Sequence, residues 1–281
     1  MKPIIKWCGG KSQLLPQIKE RLPEKFNTYY EPFCGGAAVL LDINPTEAVL
    51  NDINPELINK YLQVKYQPEK VIKFLTTYDN QHEVWSEPKD YYYEVRRYFN
   101  EELGTGTAQQ AARFIYLNKH CFNGLYRVNK KGEFNVPFNG KLSGWSVDPD
   151  HLCELSTRLK NVDIRCGDYV DAVSNAKESD LVYFDPPYDY EREDGFVDYS
   201  NTGWTREDTT KLKLLCDQLV DKGCYVMLSN NSTTFIRELF DDARYLIEEI
   251  PVRRAINCKG TGRGPVPEVI IRSKNCIQNI C

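Results

Sequence analysis

Residues 180–190 read Asp-Leu-Val-Tyr-Phe-Asp-Pro-Pro-Tyr-Asp-Tyr. The run from Leu181 to Phe184 is short, apolar and aromatic, as expected of a buried strand, and it stops on a carboxylate, Asp185. Pro186 and Pro187 then fix two φ angles and remove two N–H donors, so no helix can run through them and the local carbonyls can only accept hydrogen bonds. A strand that merely had to end could use Asn-Gly instead. What remains is a rigid acceptor cluster beside the flat ring of Tyr188. A ligand with an N–H group and a π-face fits that description.

Around this segment the chain alternates between strand and helix signals. "TYYEPF" (28–33) reads as a strand ending at Cys34-Gly35-Gly36, "AAVLLDI" as a helix, and "EAVLND" (47–52) as a short buried strand ending in Asp52. "NPELINKYLQVK" opens with an Asn cap and Pro55 in the first helical turn. The pattern stays helical to about residue 120, broken at Pro68 and Pro88. "NGLYRVNKKGEFNVPF" (123–138) then carries two β-like runs around Asn129-Lys130-Lys131-Gly132, a hairpin signal. Alternation resumes near 162 with "VDIRCGD", the run at 181, a helix around 205–222 and "CYVMLSN" (224–230). Strands separated by helices predict an α/β protein with a mostly parallel, Rossmann-like sheet and helices on both faces. The helical and hairpin segment 56–160 reads as an insert between 1–55 and 161–281.

Net charge is −4, which argues against a general polyanion binder, yet the charge is uneven. Residues 113–145 carry six Lys/Arg against Glu133 alone, and residues 252–274 carry six against Glu268 alone. Two basic segments on an acidic body are the footprint of a nucleic-acid contact face, although two solvated loops would give the same counts. The ten cysteines show no Cys-x-x-Cys, and His82, His120 and His151 read as isolated structural residues. Neither a zinc framework nor a disulfide scaffold is expected. The reading is a cytoplasmic protein with reduced thiols, no metal and no membrane span.

Two Gly-Gly loops suggest a ligand. "EPFCGG" follows a strand and opens a helix, which gives a backbone room to approach a bound molecule, and Asp52 ends the next strand where an acidic residue takes ribose hydroxyls. A loop glycine pair and a surface Asp would look the same. No full G-x-G-x-x-G and no P-loop is present. "KWCGGK" (6–11) adds an indole, backbone N–H groups and an ammonium, suited to a cationic centre and a carboxylate. Ribose, carboxylate and cation together describe S-adenosylmethionine.

"KWCGGK", "EPFCGG", "ND" at 51–52, "CGDY" at 166–169 and "DPPY", in that order, resemble the Dam-type DNA adenine-N6 methyltransferases. The resemblance runs from Lys6 to about Ile271. It implies an enzyme that moves a methyl group from S-adenosylmethionine to a flipped-out adenine in double-stranded DNA. By position, Trp7, Lys11, Phe33, Asp52, Tyr169 and Asp185 would contact the cofactor. Asp185 and the Pro186 carbonyl would accept from the exocyclic amine, with Tyr188 stacked on the ring. The segment 56–160 would be the target-recognition domain. There Phe122, Asn123, Leu125, Arg127 and Pro137 match the DNA-reading hairpin, Lys6 matches a base-contacting lysine, and GATC is the expected site. Two stretches depart from the family: "NGKLSGW" after Phe138, and 189–208, where seven acidic residues face two arginines. The acidic stretch is expected to face away from DNA or to order on binding.

Other acceptors fit the same fold. Cytosine N4 is also an exocyclic amine, but that class more often has Ser where Asp185 stands. RNA adenine, or a non-catalytic regulator that keeps the fold, are further readings, the last disfavoured by the intact Lys11, Asp52, Asp185 and Tyr188. A monomer suffices, because each event needs one flipped base. A maintenance, phage or restriction-modification enzyme would look alike.

Overall fold

The computed structural model describes residues 1–142, 144–191, 203–250 and 267–276. The strands are β1 (Tyr29–Glu31), β2 (Ala48–Asp52), β3 (Val162–Cys166), β4 (Leu181–Phe184), β5 (Tyr225–Asn231), β6 (Tyr245–Ile250) and β7 (Glu268–Ser273). They form a seven-stranded mixed sheet in the order β3-β2-β1-β4-β5-β7-β6. β4 pairs in parallel with β1 on one side (Tyr29 opposite Leu181) and with β5 on the other (Phe184 opposite Leu228). β7 runs antiparallel to both β5 and β6. All four residues of β4 are buried, as a strand with partners on both edges and cover on both faces must be.

The helices are α1 (Leu15–Lys19), α2 (Ala38–Ile43), α3 (Pro55–Tyr66), α4 (Pro68–Val84), α5 (Pro88–Glu101), α6 (Ala108–His120), α7 (Pro149–Arg158), α8 (Tyr169–Ala172), α9 (Arg206–Asp221) and α10 (Thr234–Leu239). Local chemistry sets their starts. Proline stands at the first turn of α3, α4, α5 and α7, where its missing N–H costs nothing. Asn54 caps α3 by accepting from the N–H groups of Glu56 and Leu57 at 3.1 Å each. Thr205 and Asp208 close a reciprocal capping box on α9.

The chain divides into two compact units. One comprises Met1–Ser12, Cys34–Thr46 and Leu50–Asp168, the other Gln13–Phe33, Glu47–Val49 and Tyr169–Cys281. In the first unit α6 packs on α3, α4 and α5. It is buried almost all round, from Ala111 to Leu117, so it serves as the axis of that bundle. In the second, Val182, Phe184, Leu212, Cys216, Leu219, Val226, Leu228 and Phe240 belong to one core under the sheet.

The histidines require a correction. His82 and His120 are not isolated: their rings lie 4.3 Å apart in the first unit, although the two residues are far apart in sequence. His82 Nδ1 is 2.7 Å from the Tyr116 hydroxyl, and Ser146 donates to Asp79 beside His120. Burial and the neighbouring His120 lower the proton affinity of His82. Residues on two separate helices, here α4 and α6, give no contiguous signal in the sequence. His151 sits elsewhere, 2.8 Å from the Lys2 carbonyl.

Among the described residues no helix is long and apolar enough to cross a membrane. Eight described cysteines carry free thiols.

Leu212 lies wholly buried where α9 meets the sheet. Leu212→Ala should destabilise the protein by roughly 2–5 kcal/mol, read as a lower urea midpoint with an unchanged denaturant slope.

Candidate active site

In the sheet order the direction of winding reverses between β1 and β4, and ligands of open α/β sheets bind outside the carboxyl ends of the strands at such a reversal. Phe33 leaves the carboxyl end of β1, and Asp185 leaves that of β4. Phe33 stacks on Tyr169 (5.1 Å between centroids, 28°) and meets Phe184 and Trp204 edge-on at 6.4 and 5.5 Å. The Trp204 indole donates to the Thr209 hydroxyl at 3.0 Å, which ties it to the first turn of α9. Phe33, Tyr169 and Trp204 therefore form one aromatic group at the strand ends. The sequence pointed to the first two. Trp204 carries no such signal, because nothing local distinguishes a tryptophan at the end of an acidic stretch.

Asp185 stands among phenols. Tyr29 donates to Glu31 at 2.9 Å, and the Tyr183 hydroxyl is 2.6 Å from that of Ser229. The Tyr188 hydroxyl donates to Glu268 of β7 at 3.2 Å. Burial, and after it the Asp185 carboxylate, push the Tyr188 phenol well above its ordinary value, so it stays protonated and neutral. Tyr188 can offer a ring face but no anion.

The loops of the other unit are organised around Asp52. Its Oδ2 accepts from the Gly35 N–H and its Oδ1 from the Asn54 N–H, both at 3.0 Å. One carboxylate thus shapes the Gly-Gly loop and the entry to α3 while keeping further lone pairs. Gly35 has φ +45°, and a Cβ there would lie 2.5 Å from the Trp7 ring. That close approach is why a glycine is needed. Trp7 in turn stacks on Tyr126 (5.5 Å, 26°) and on Phe114. Lys11 is buried, and its ammonium donates to the Gly9 carbonyl at 2.5 Å. Beneath the loop lies Lys60, with no exposed surface. Its Nζ has no hydrogen-bond partner among the described residues, and burial drives its proton affinity well down, opposed by Cys34 and Asp52.

In the segment 121–138, Cys121 bridges Phe138 and Val128 bridges Phe134 in antiparallel fashion. Asn129 closes the turn by accepting from the N–H groups of Lys131 and Glu133. Asn118 joins Lys6 to this ribbon: it accepts from the Lys6 N–H and donates to the carbonyls of Lys6 and Gly124, all within 3.0 Å. Gly124 has φ +66°, and a Cβ there would lie 2.7 Å from the Lys6 side chain. Lys6, Phe122, Asn123, Arg127 and Pro137 are exposed and Leu125 is half-buried. Asn123 adopts the left-handed conformation, φ +56°. Arg127 Nε donates to the Asn135 side chain at 2.7 Å, which holds the guanidinium along the ribbon.

Of the basic stretch 252–274, residues 252–266 lie outside the described residues, as do 192–202 of the acidic stretch. At the described ends of that stretch the carboxylates have local partners. Asp189 pairs with Arg206, Glu207 with Lys211, and Asp208 with Thr205.

Residues 7–256 match the family of D12 class N6 adenine-specific DNA methyltransferases. The chain belongs to this family. It is similar to a type II methyltransferase of Lactococcus lactis, M1.LlaDCHI, with 38% identity over 96% of this chain and 95% of that protein. M.MjaIII, a type II methyltransferase of Methanocaldococcus jannaschii, is 36% identical over 94% and 95%. The DNA adenine methylase of Escherichia coli K12 is 32% identical over 96% and 94%. The chain is therefore an adenine-specific DNA methyltransferase, and its mixed seven-stranded sheet is consistent with a methyltransferase fold.

Burial raises the proton affinity of Asp52 in the folded protein, against the opposing hydrogen bonds from Asn54 and Gly35. The folded state then binds more protons here than the unfolded chain, so ionising Asp52 costs stability as the pH rises through the ordinary carboxylate range. Asp52→Asn removes that cost and adds only a pH-independent offset from the lost acceptor. The stability of the variant relative to wild type should climb from about pH 4 upward and then level off. Urea titrations at several pH values read it, and a flat difference would show that Asp52 pays no burial penalty.

Proposed function

We propose that the protein transfers a methyl group from S-adenosylmethionine to N6 of an adenine flipped out of duplex DNA, within GATC. The observation that carries this reading is the position of Asp185, at the carboxyl end of β4 and beside β1 where the strand order reverses, in a member of an N6-adenine family. The donor set suits the cofactor. The aromatic faces of Phe33 and Tyr169 suit an adenine ring, the spare lone pairs of Asp52 suit ribose hydroxyls, and Lys11 suits a carboxylate. Trp7 completes the cofactor set. S-adenosylmethionine, when bound, supplies a methyl group already activated on a sulfonium.

The residues of the chain do the rest. The N6 lone pair of adenine is delocalised into its ring and attacks poorly. Asp185 and the Pro186 carbonyl accept from the two amine hydrogens, which favours a pyramidal nitrogen and stabilises the positive charge that grows on it. As N6 takes the methyl group and becomes cationic, Asp185 would hold the amine proton that must leave and pass it to water. Tyr188, neutral, stacks on the base, and this offsets part of the few kcal/mol that flipping costs. No covalent enzyme intermediate is needed.

The segment 56–160 serves as target-recognition domain. Phe122 and Asn123 fill the gap left by the base, Leu125 and Pro137 line the ribbon, Lys6 touches a base, and Arg127 reads a guanine through O6 and N7. Lys119, Lys130 and Lys131 hold phosphates. The enzyme acts as a monomer.

Asp185→Ala should lower methyl transfer at least about a hundredfold while the protein stays folded. Labelled S-adenosylmethionine, DNA without adenine methylation and nucleoside analysis of the product measure it. Label on cytosine N4 would reassign the acceptor, and a retained rate would remove Asp185 from the chemistry.

Arg127→Ala should relax discrimination at one guanine, by about 1–3 kcal/mol, whereas Lys130→Ala should weaken all DNA alike and flatten the salt dependence by about one phosphate. Methylome sequencing of a host expressing each variant, with binding measured at several salt concentrations, separates the two effects.

A further inference from the structure

The residue that follows the Asp-Pro-Pro-Tyr segment is held at five points. The Asp189 N–H donates to the Asn230 side-chain oxygen at 2.9 Å, and its carbonyl accepts from the Asn231 amide at 2.6 Å. Its carboxylate takes both arms of Arg206, Nε at 2.9 Å and Nη2 at 3.0 Å, and the Thr233 hydroxyl at 2.6 Å. A two-armed guanidinium–carboxylate pair fixes orientation as well as distance. Only 9% of the Asp189 side chain is exposed, against 48% for Arg206. The partners are themselves fixed. Asn230 and Asn231 end β5, Thr233 caps α10, and Arg206 opens α9 with its guanidinium 4.7 Å over the Phe235 ring.

The parallel register gives this anchor its use. Phe184 lies opposite Leu228, so Asn230, two residues on, stands level with Pro186. After Phe184 the chain has left the β4 ladder, and two prolines remove the N–H groups that could tie it to a neighbour. Between the ladder and Asp189 lie Asp185, Pro186, Pro187 and Tyr188. Their course is set by β4 at one end and by the Asp189 clamp at the other.

We propose that Asp189 is a positioning residue for methyl transfer. By joining the ends of β5, α9 and α10 to the chain just past Tyr188, it sets where the Pro186 carbonyl and the Tyr188 ring stand. Arg206, Thr233, Asn230 and Asn231 are its working partners. Asp189 does not touch the reacting atoms in this account, and the inference rests on the adenine reading given above.

The test is steady-state and single-turnover methylation of unmethylated DNA by the full chain, for wild type, Asp189→Asn, Arg206→Lys and Leu219→Ala. Asp189→Asn keeps the shape but gives up an ionised acceptor, and Arg206→Lys keeps the charge but gives up the two-armed geometry. Both should lower kcat, Asp189→Asn by about ten- to a hundredfold, as expected of misplacement near 1 Å. The KM for S-adenosylmethionine should stay within about twofold. Leu219→Ala, a core change in α9, supplies a destabilised control. The inference is overturned if Asp189→Asn keeps kcat within about twofold of wild type. It is equally overturned if Leu219→Ala, at an equal loss of Tm, lowers kcat as much. If wild type itself puts no methyl on adenine, the reading of function fails and takes this inference with it. If wild type is active and Asp189→Asn matches it, the inference fails alone.

Discussion

β4 has parallel partners on both sides and four buried residues, Leu181, Val182, Tyr183 and Phe184, none more than 1% exposed. Each large side chain gains about 1.5–3 kcal/mol from leaving water, and the strand's backbone groups have ladder partners in β1 and β5. A one-residue slip would exchange its two faces, turning the Tyr183 hydroxyl away from Ser229 and Phe184 away from Phe33. Because the register cannot slip, the next residue, Asp185, has one place to stand. The aromatic group at Phe33 and the Asp189 clamp both take their position from this strand.

The other unit uses a less favourable device. Burying Asp52 and Lys60 near one another costs desolvation that their mutual attraction offsets only in part, as the upward shift of the acid and the downward shift of the amine both record. A hydrophobic replacement at Lys60 would be the cheaper design for a loop that only had to be stable. Asp52 instead spends its oxygens on the Gly35 and Asn54 N–H groups and so places the glycine loop. Stability is given up where the glycine loop, proposed above to meet the cofactor, is shaped, an exchange expected of a functional site.

Much of this could be read in the sequence, for reasons that are local. Asn54-Pro55 marks a helix start through cap chemistry, and the structure begins α3 there. Pro68 and Pro88, read as breaks, are the first residues of α4 and α5. The apolar run before Asp185 specifies a buried strand because nothing else accommodates four such residues before two prolines. What escaped depends on separation along the chain. His82 meets His120, Asp189 meets Arg206, Thr233, Asn230 and Asn231, and Trp204 meets Phe33, contacts between separate elements that no single strand or helix of the sequence holds together. The acidic residues after Tyr188 look like repulsion from phosphate, yet Asp189 and Asp208 are consumed by a guanidinium and a helix cap.

The antiparallel β7 has a consequence for how the protein is made. It lies between β5 and β6, although β5 and β6 precede it in the chain. Until Glu268–Ser273 leaves the ribosome, β5 therefore has one open edge along Met227–Asn231, and β6 has no strand to join. An unpaired edge next to a wholly buried strand is a template for pairing with another nascent chain. Closure also requires contacts of long sequence separation, which form slowly. The last of the described strands to be synthesised thus completes the sheet, and a chain cut short before Glu268 would carry β5 with one edge unpaired.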